Sequence, residues 1–266
     1  MELYHKKLGS GPPLIIVHGL YGSSDNWLSI GKALSDRYTV YLTDQRNHGR
    51  SPHSEIHDYP SMRDDLVEFM DRQNLPRAIL IGHSMGGKAC MFLAESHPGR
   101  IEALVVVDIA PTPYGEGERN GQVQTHRKIM EAMMAVDFSR VASRSDAESQ
   151  LARSIESRRM RSFLLKNLDG NATKGFRWRL NVHSLYRNLG NLMGGLDAGR
   201  YSGGEEIAGF PVLFIRGEKS DYITDEELLT IHQIFPMARV TTLPDAGHWL
   251  HVEQAALLIR TIRYFL

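Results

Sequence analysis

Apolar runs at residues 14–17, 39–42, 78–81 and 103–107 punctuate the first part of the chain. They are rich in β-branched residues and do not alternate with polar ones, the pattern of strands buried on both faces of a parallel sheet. Between them, residues 24–35, 61–74 and 85–97 carry apolar side chains at helical spacing. In the second of these, Met62, Leu66, Phe69 and Met70 share one face, and Asp64, Asp65, Glu68 and Asp71 share the opposite one. That helix is predicted to bury the first set and wet the second. The alternation returns late, with strands at 212–215 and 239–243 and helices at 224–235 and 250–265. Such a rhythm predicts an α/β fold, a mostly parallel sheet flanked by helices with right-handed crossovers.

Residues 112–205 interrupt the rhythm. No strand is legible there, and helical segments are predicted at 122–136 and 146–168. Gly115-Glu116-Gly117 and Tyr201-Ser202-Gly203-Gly204 read as hinges or loops near its two ends. The expected division is an α/β core, residues 1–111 and 206–266, with a helical lid inserted at 112–205.

Composition acts mainly by exclusion. Hydrophobic residues at 42% and charged residues at 23% are those of a globular chain, not a disordered one. The 31 basic residues balance 31 acidic ones, so the basic excess typical of nucleic-acid binding is missing. Cys90 is the single cysteine and cannot form an internal disulfide; it is expected to act as a small buried apolar residue. The opening residues carry no apolar leader, and no apolar run approaches the roughly 18 residues of a membrane helix. A cytoplasmic protein is expected, with its oligomeric state open. The charge is unevenly shared: residues 112–205 hold 15 basic and 10 acidic side chains, so the inserted segment is basic and the core acidic.

The chemistry centres on Gly82-His83-Ser84-Met85-Gly86, a G-x-S-x-G pattern directly after one predicted strand and opening a helix. A sharp turn at that place lifts a serine hydroxyl above the sheet edge, so Ser84 is the expected nucleophile. A serine hydroxyl needs a base and oxyanion donors. His248 sits in a loop after a late strand and is the expected base; His251 falls in the following helix and is expected to be structural or to wall the pocket. The orienting acid is expected to be Asp108, which ends an apolar strand, with Asp221 as the alternative; Asp221 would otherwise cap the helix near Thr224. The N–H groups of Leu20 and Met85 are the expected oxyanion donors, with His18 hydrogen-bonded beneath the loop. His248 and His251 have part of a metal-ligand spacing but no nearby carboxylate cluster, so neither metal nor cofactor is expected. Trp249, Trp178 and Met133 are candidate substrate-binding residues. The apolar face formed by Ile129, Met130, Met133, Met134 and Val136 is expected to pack the lid, to line an acyl pocket, or both.

These residues match a family. Val17-His18-Gly19, the segment from Asp44 to Ser51, Gly82 to Gly87, and Ala246-Gly247-His248-Trp249 together resemble the α/β-hydrolase superfamily, from Leu3 to Leu266. Arg-Asn-His-Gly-Arg-Ser-Pro-His at 46–53, Gly-His-Ser-Met-Gly-Gly-Lys at 82–88 and Val-Asp-Ile-Ala-Pro at 107–111 look more narrowly like the YbfF-type esterases, a branch of bacterial esterases and related mitochondrial abhydrolase proteins. The resemblance implies a lid at the insertion and a structural role for the Asp44–Ser51 turn. The superfamily often carries its acid three residues after Gly217, which is Ser220 here, with Asp221 displaced by one. In the YbfF-type branch the acid maps to Asp108.

The expected function is therefore a serine hydrolase cleaving carboxylic esters through an acyl-enzyme. Acyl-CoA-type thioester hydrolysis by the same triad is an alternative, motivated by nine basic against two acidic residues over 153–187. A binding or regulatory protein that retains the triad is a third. The partner expected is a small-molecule ester or thioester, with no nucleic acid and no transmembrane segment.

Overall fold

The computed structural model describes residues 1–114 and 120–266, so the predicted hinge at Gly115-Glu116-Gly117 lies outside the described residues. The sheet is built from β1 (His5–Leu8), β2 (Pro13–Val17), β3 (Thr39–Thr43), β4 (Ala78–His83), β5 (Ile101–Val107), β8 (Val212–Gly217) and β9 (Ala238–Leu243), in the order β1-β3-β2-β4-β5-β8-β9. Only β1 pairs antiparallel; every other pairing is parallel. The six predicted strands all form. β1 was not legible because His5-Lys6-Lys7-Leu8 is a polar edge strand with no apolar run.

Helices α1 (Leu28–Leu34), α2 (Tyr59–Arg72), α3 (Met85–Ser96), α9 (Asp225–Ile234), α10 (Leu250–Glu253) and α11 (Ala255–Phe265) flank the sheet. Alternate strand residues feed two apolar layers. Leu14, Ile16, Ile79, Ile81 and Val105 pack with Trp27, Ile30, Leu34, Leu258 and Ile262. Ile15, Leu80 and Val106 pack with Met62, Leu66, Phe69 and Leu93 on the opposite side. α2 starts at Tyr59 because the Asp58 carboxylate accepts the Ser61 N–H at 2.8 Å. Its predicted wet face needs one correction: Asp65 is buried, held by the Arg46 guanidinium (2.6 and 2.9 Å) and the N-terminal amine (2.6 Å). A carboxylate with three charged hydrogen bonds tolerates removal from water. The predicted helix over 250–265 is broken at Gln254.

Within 112–205 lie α4 (Asn120–Met134), α5 (Arg144–Leu151), α6 (Arg158–Leu164), α7 (Val182–Arg187) and α8 (Leu189–Leu192). The single helix predicted over 146–168 is in fact α5 and α6, because the Ser157 side chain caps a new start by accepting the Met160 N–H. The segment also contains strands, contrary to expectation. β6 (Leu168–Asn171) and β7 (Gly175–Trp178) form an antiparallel hairpin, with Gly170 and Gly175 at positive φ around the turn. Its polar sequence, Leu-Asp-Gly-Asn followed by Ala-Thr-Lys, hid it. The apolar side chains of this segment, including Met130, Met133 and Leu185, merge with the α2–α3 layer into one continuous cluster. Among the described residues no helix is long and apolar enough to cross a membrane.

Strand order reverses direction between β2 and β4, and the crevice beyond the carboxyl ends of such strands is where open α/β sheets bind ligands. The loop after β2 and the turn after β4 flank it.

Candidate active site

Ser84 stands between β4 and α3 with φ 52° and ψ −121°, a conformation that costs a non-glycine residue of order 1–3 kcal/mol. Two glycines make the turn possible. A Cβ on Gly82 would lie 2.5 Å from the Gly86 carbonyl oxygen, and one on Gly86 would lie 2.3 Å from that of Val17. The Ser84 N–H donates to the Val107 carbonyl at 3.0 Å, which ties the turn to the end of β5. Because His83 pairs with Val107 in the sheet register, Ser84 and Asp108 leave neighbouring strands at the same level.

Asp108 also has positive φ, 54°, and is completely buried. Three donors converge on its carboxylate: the Gly217 N–H at 2.8 Å, the Ser220 hydroxyl, and His248 Nδ1 at 2.8 Å. The other candidate acid, Asp221, is exposed on the cavity wall, and Thr224, not Asp221, stands at the N-terminal boundary of the helix near it, with no side-chain cap bond. His248 thus meets Asp108, and Ser220 donates a hydrogen bond to that same carboxylate.

The histidine loop is anchored from several sides. His83 Nε2–H donates to the His248 carbonyl at 2.9 Å. The Glu253 carboxylate accepts the Gly247 N–H and pairs with Arg159 of α6 at 2.6 Å. Tyr222 stacks flat on the His248 imidazole. Its phenol in turn lies 3.3 Å from His126 of α4, whose other ring nitrogen is 3.2 Å from the Tyr21 hydroxyl.

Leu20 lies in a loop held by two buried imidazoles. His18 Nε2 accepts the Gln45 N–H at 3.0 Å and its Nδ1–H donates to the Gly19 carbonyl at 2.8 Å. His48 Nε2 accepts the Tyr21 N–H at 3.2 Å, and its Nδ1–H donates to the Arg46 carbonyl at 2.9 Å. Both rings need an unprotonated nitrogen to do this, and burial holds both below the ordinary histidine pKa. The Asp44 carboxylate accepts the Ser24 and Arg50 N–H groups, 2.6 and 2.9 Å, so the Asp44–Ser51 turn braces the same loop. Within the described residues, the N–H groups of Leu20 and Met85 donate to no protein acceptor, which leaves both free for a ligand oxygen.

Burial also depresses His83 well below the ordinary range, His251 to about 3 and His126 to about 4. His251 stacks on Trp27, with ring centroids 4.8 Å apart, and borders the cavity as wall. Among the described residues no three His, Cys, Asp or Glu side chains gather as for a metal ion.

A cavity of about 1020 Å³ opens beside Ser84 and His248 and is walled above by α4 and α6. Trp249 borders it, in contact with Phe163 (5.2 Å between centroids) and with the Arg159 guanidinium over its ring (4.8 Å). Trp178 and Met133 do not. The Trp178 indole N–H donates to the Met133 carbonyl at 2.9 Å and its ring packs against Phe138, so both residues belong to the interior of the inserted segment. Of the apolar face on α4, Ile129 alone reaches the cavity. Tyr222, Glu253 and Phe163 were not singled out by sequence, and Arg159 entered there only as one of the nine basic residues of 153–187.

A family model of the α/β-hydrolase fold matches residues 12–255. The chain belongs to the α/β-hydrolase family. This α/β-hydrolase is 35% identical over 257 residues to esterase YbfF of Escherichia coli, covering 96% of this chain and 92% of that one. It is 36% identical over 262 residues to the sn-1-specific diacylglycerol lipase ABHD11 of Danio rerio, covering 97% and 79%. Among solved structures, a marine microorganism esterase superposes with a TM-score of 0.93 at 46% identity, covering all of both chains.

Proposed function

We propose that this carboxylic-ester hydrolase works through an acyl-enzyme on Ser84. The observation that carries the reading is the contact of His248 Nδ1 with the buried Asp108 carboxylate, 2.8 Å, beside a serine held in a strained turn on the same cavity. Asp108 accepts a hydrogen bond from Nδ1–H, which leaves Nε2 as the base. His248 takes the Ser84 proton as the hydroxyl oxygen bonds to the ester carbon, and the N–H groups of Leu20 and Met85 hold the oxyanion. The imidazolium then protonates the leaving alkoxide as the ester C–O bond breaks. Water, activated by the same imidazole, releases the acid and restores Ser84.

In this reading residues 112–205 act as a cap, since α4 and α6 supply the roof over the nucleophile. Thioester hydrolysis finds less support. Arg159, Arg161, Arg177, Arg179 and Arg187 are each paired with a carboxylate, so much of the basic charge of the segment is already met by protein.

Ser84→Ala is expected to remove hydrolysis of p-nitrophenyl acetate and labelling by a fluorophosphonate. Turnover retained by that variant would overturn the nucleophile, and a folded wild-type chain that neither labels nor turns over would favour a binding protein.

A further inference from the structure

A second, far smaller compartment of about 20 Å³ also borders Ser84. Ser84, Leu20, Gln122, His126 and Tyr222 border both spaces, so the two meet at the nucleophile. What else they touch differs. His248 borders only the large cavity, whereas Met85, Tyr59, Ile109, Tyr114, Leu192 and Met193 border only the small one.

The chemistry assigns a direction. A leaving oxygen must take its proton from His248, so the alcohol half of an ester departs on the imidazole side. With the carbonyl oxygen on the Leu20 and Met85 amides, the substituent that stays on the carbonyl carbon is left the space that His248 does not border, the one lined by Met85. From this we infer that the small compartment is the acyl site, that it restricts the acyl group to acetyl or propionyl size, and that the large cavity receives the alcohol. The inference rests on Ser84 and His248 acting as proposed above.

Size and stiffness support the restriction. The compartment offers about 20 Å³ against about 1020 Å³ in the main cavity, by far the narrower of the two spaces that meet at Ser84. Its walls are pinned. The Tyr59 hydroxyl donates to the Leu192 carbonyl at 2.6 Å. The Tyr114 hydroxyl accepts the Ala110 N–H at 2.9 Å and donates to the Tyr222 carbonyl at 2.6 Å, while the Tyr114 N–H donates to the Met193 carbonyl at 2.7 Å. Widening the compartment means breaking buried hydrogen bonds, which close packing does not replace.

The test is kcat/KM of the full chain across p-nitrophenyl acetate, propionate, hexanoate and decanoate. Acetate or propionate should be preferred over hexanoate by about tenfold or more, since one misfitting methylene already discriminates by about 10–200-fold. With acetyl held constant, phenyl and 2-naphthyl esters should differ by only about threefold, the larger alcohol having room. Leu192→Ala or Met193→Ala should raise the hexanoate-to-acetate ratio by about tenfold; should either variant fail to fold, the wild-type series decides. Decanoate hydrolysed as well as acetate, with Ser84→Ala inactive, would overturn the acyl site and leave the nucleophile standing. Turnover retained by Ser84→Ala would overturn both.

Discussion

Tyr222 lies flat against His248, with ring centroids 3.8 Å apart and planes 16° from parallel. The stack closes one face of the imidazole while Asp108 holds its edge, so the ring has one orientation rather than several. Its second link, the phenol within 3.3 Å of His126, joins the ring to the inserted segment.

Loss of that stack is expected to act on turnover. Tyr222→Ala should lower kcat about tenfold, because a freed imidazole spends less time in the reactive geometry. Tyr222→Phe keeps the stacking ring and should recover most of kcat. Steady-state kinetics on p-nitrophenyl acetate, paired with circular dichroism to confirm folding, separate the two.

Exchange of the two candidate acids should give unequal outcomes. Asp108→Asn should reduce kcat by about 10³–10⁴-fold, the penalty expected when the orienting carboxylate is lost and the imidazole takes the wrong tautomer. Asp221→Asn should stay within about threefold, as for an exposed carboxylate outside the network. A larger loss from Asp221→Asn than from Asp108→Asn would redirect the assignment to Asp221.

Glu253 and Arg159 should separate by kinetic parameter. Glu253→Ala removes the acceptor of the Gly247 N–H beside the catalytic loop, and a drop of about tenfold in kcat is expected. Arg159→Ala uncovers one face of Trp249 in the cavity and should raise KM with kcat little changed. A fall in kcat from Arg159→Ala alone would show that the pair, not Glu253, positions the loop.

Acid should destabilise the fold through its buried histidines. His57 and His251 are both buried and are pushed down to about 3, burial being the main cause in each. With folded values below the ordinary 6.5, the unfolded chain binds more protons between pH 6.5 and about 3. Stability contributed by the neutral rings is therefore intact above pH 6.5 and lost as pH falls. Each ring should account for about 2 kcal/mol between pH 7 and 5. Urea unfolding at both pH values tests this: His251→Asn should lose about 2 kcal/mol less than wild type on acidification.

Residues whose signal is local were legible in the chain. Ser84 announces itself because strand, turn and helix are consecutive in sequence and the turn demands glycine at 82 and 86. Asp108 is legible as a carboxylate ending an apolar strand, a position that makes sense only with partners. The core strands carry unbroken apolar runs because both their faces are covered, whereas β1 and the β6–β7 hairpin lack such runs and stayed hidden.

What the tertiary structure alone decided depends on contacts distant in sequence. Which of Asp108 and Asp221 lies against His248 turns on where His248 arrives, 140 residues after Asp108. Asp65 reads as solvent-facing until Arg46 and the chain's first amine reach it. Trp178 and Met133 are apolar in either role, and hydrophobicity cannot tell a cavity wall from the interior of a helical segment. The sequence by itself determined the sheet, the candidate nucleophile and the family. Packing decided which side chains meet in the cavity, because meeting depends on the relative placement of α4, α6 and the strand ends, a relation that no local pattern encodes.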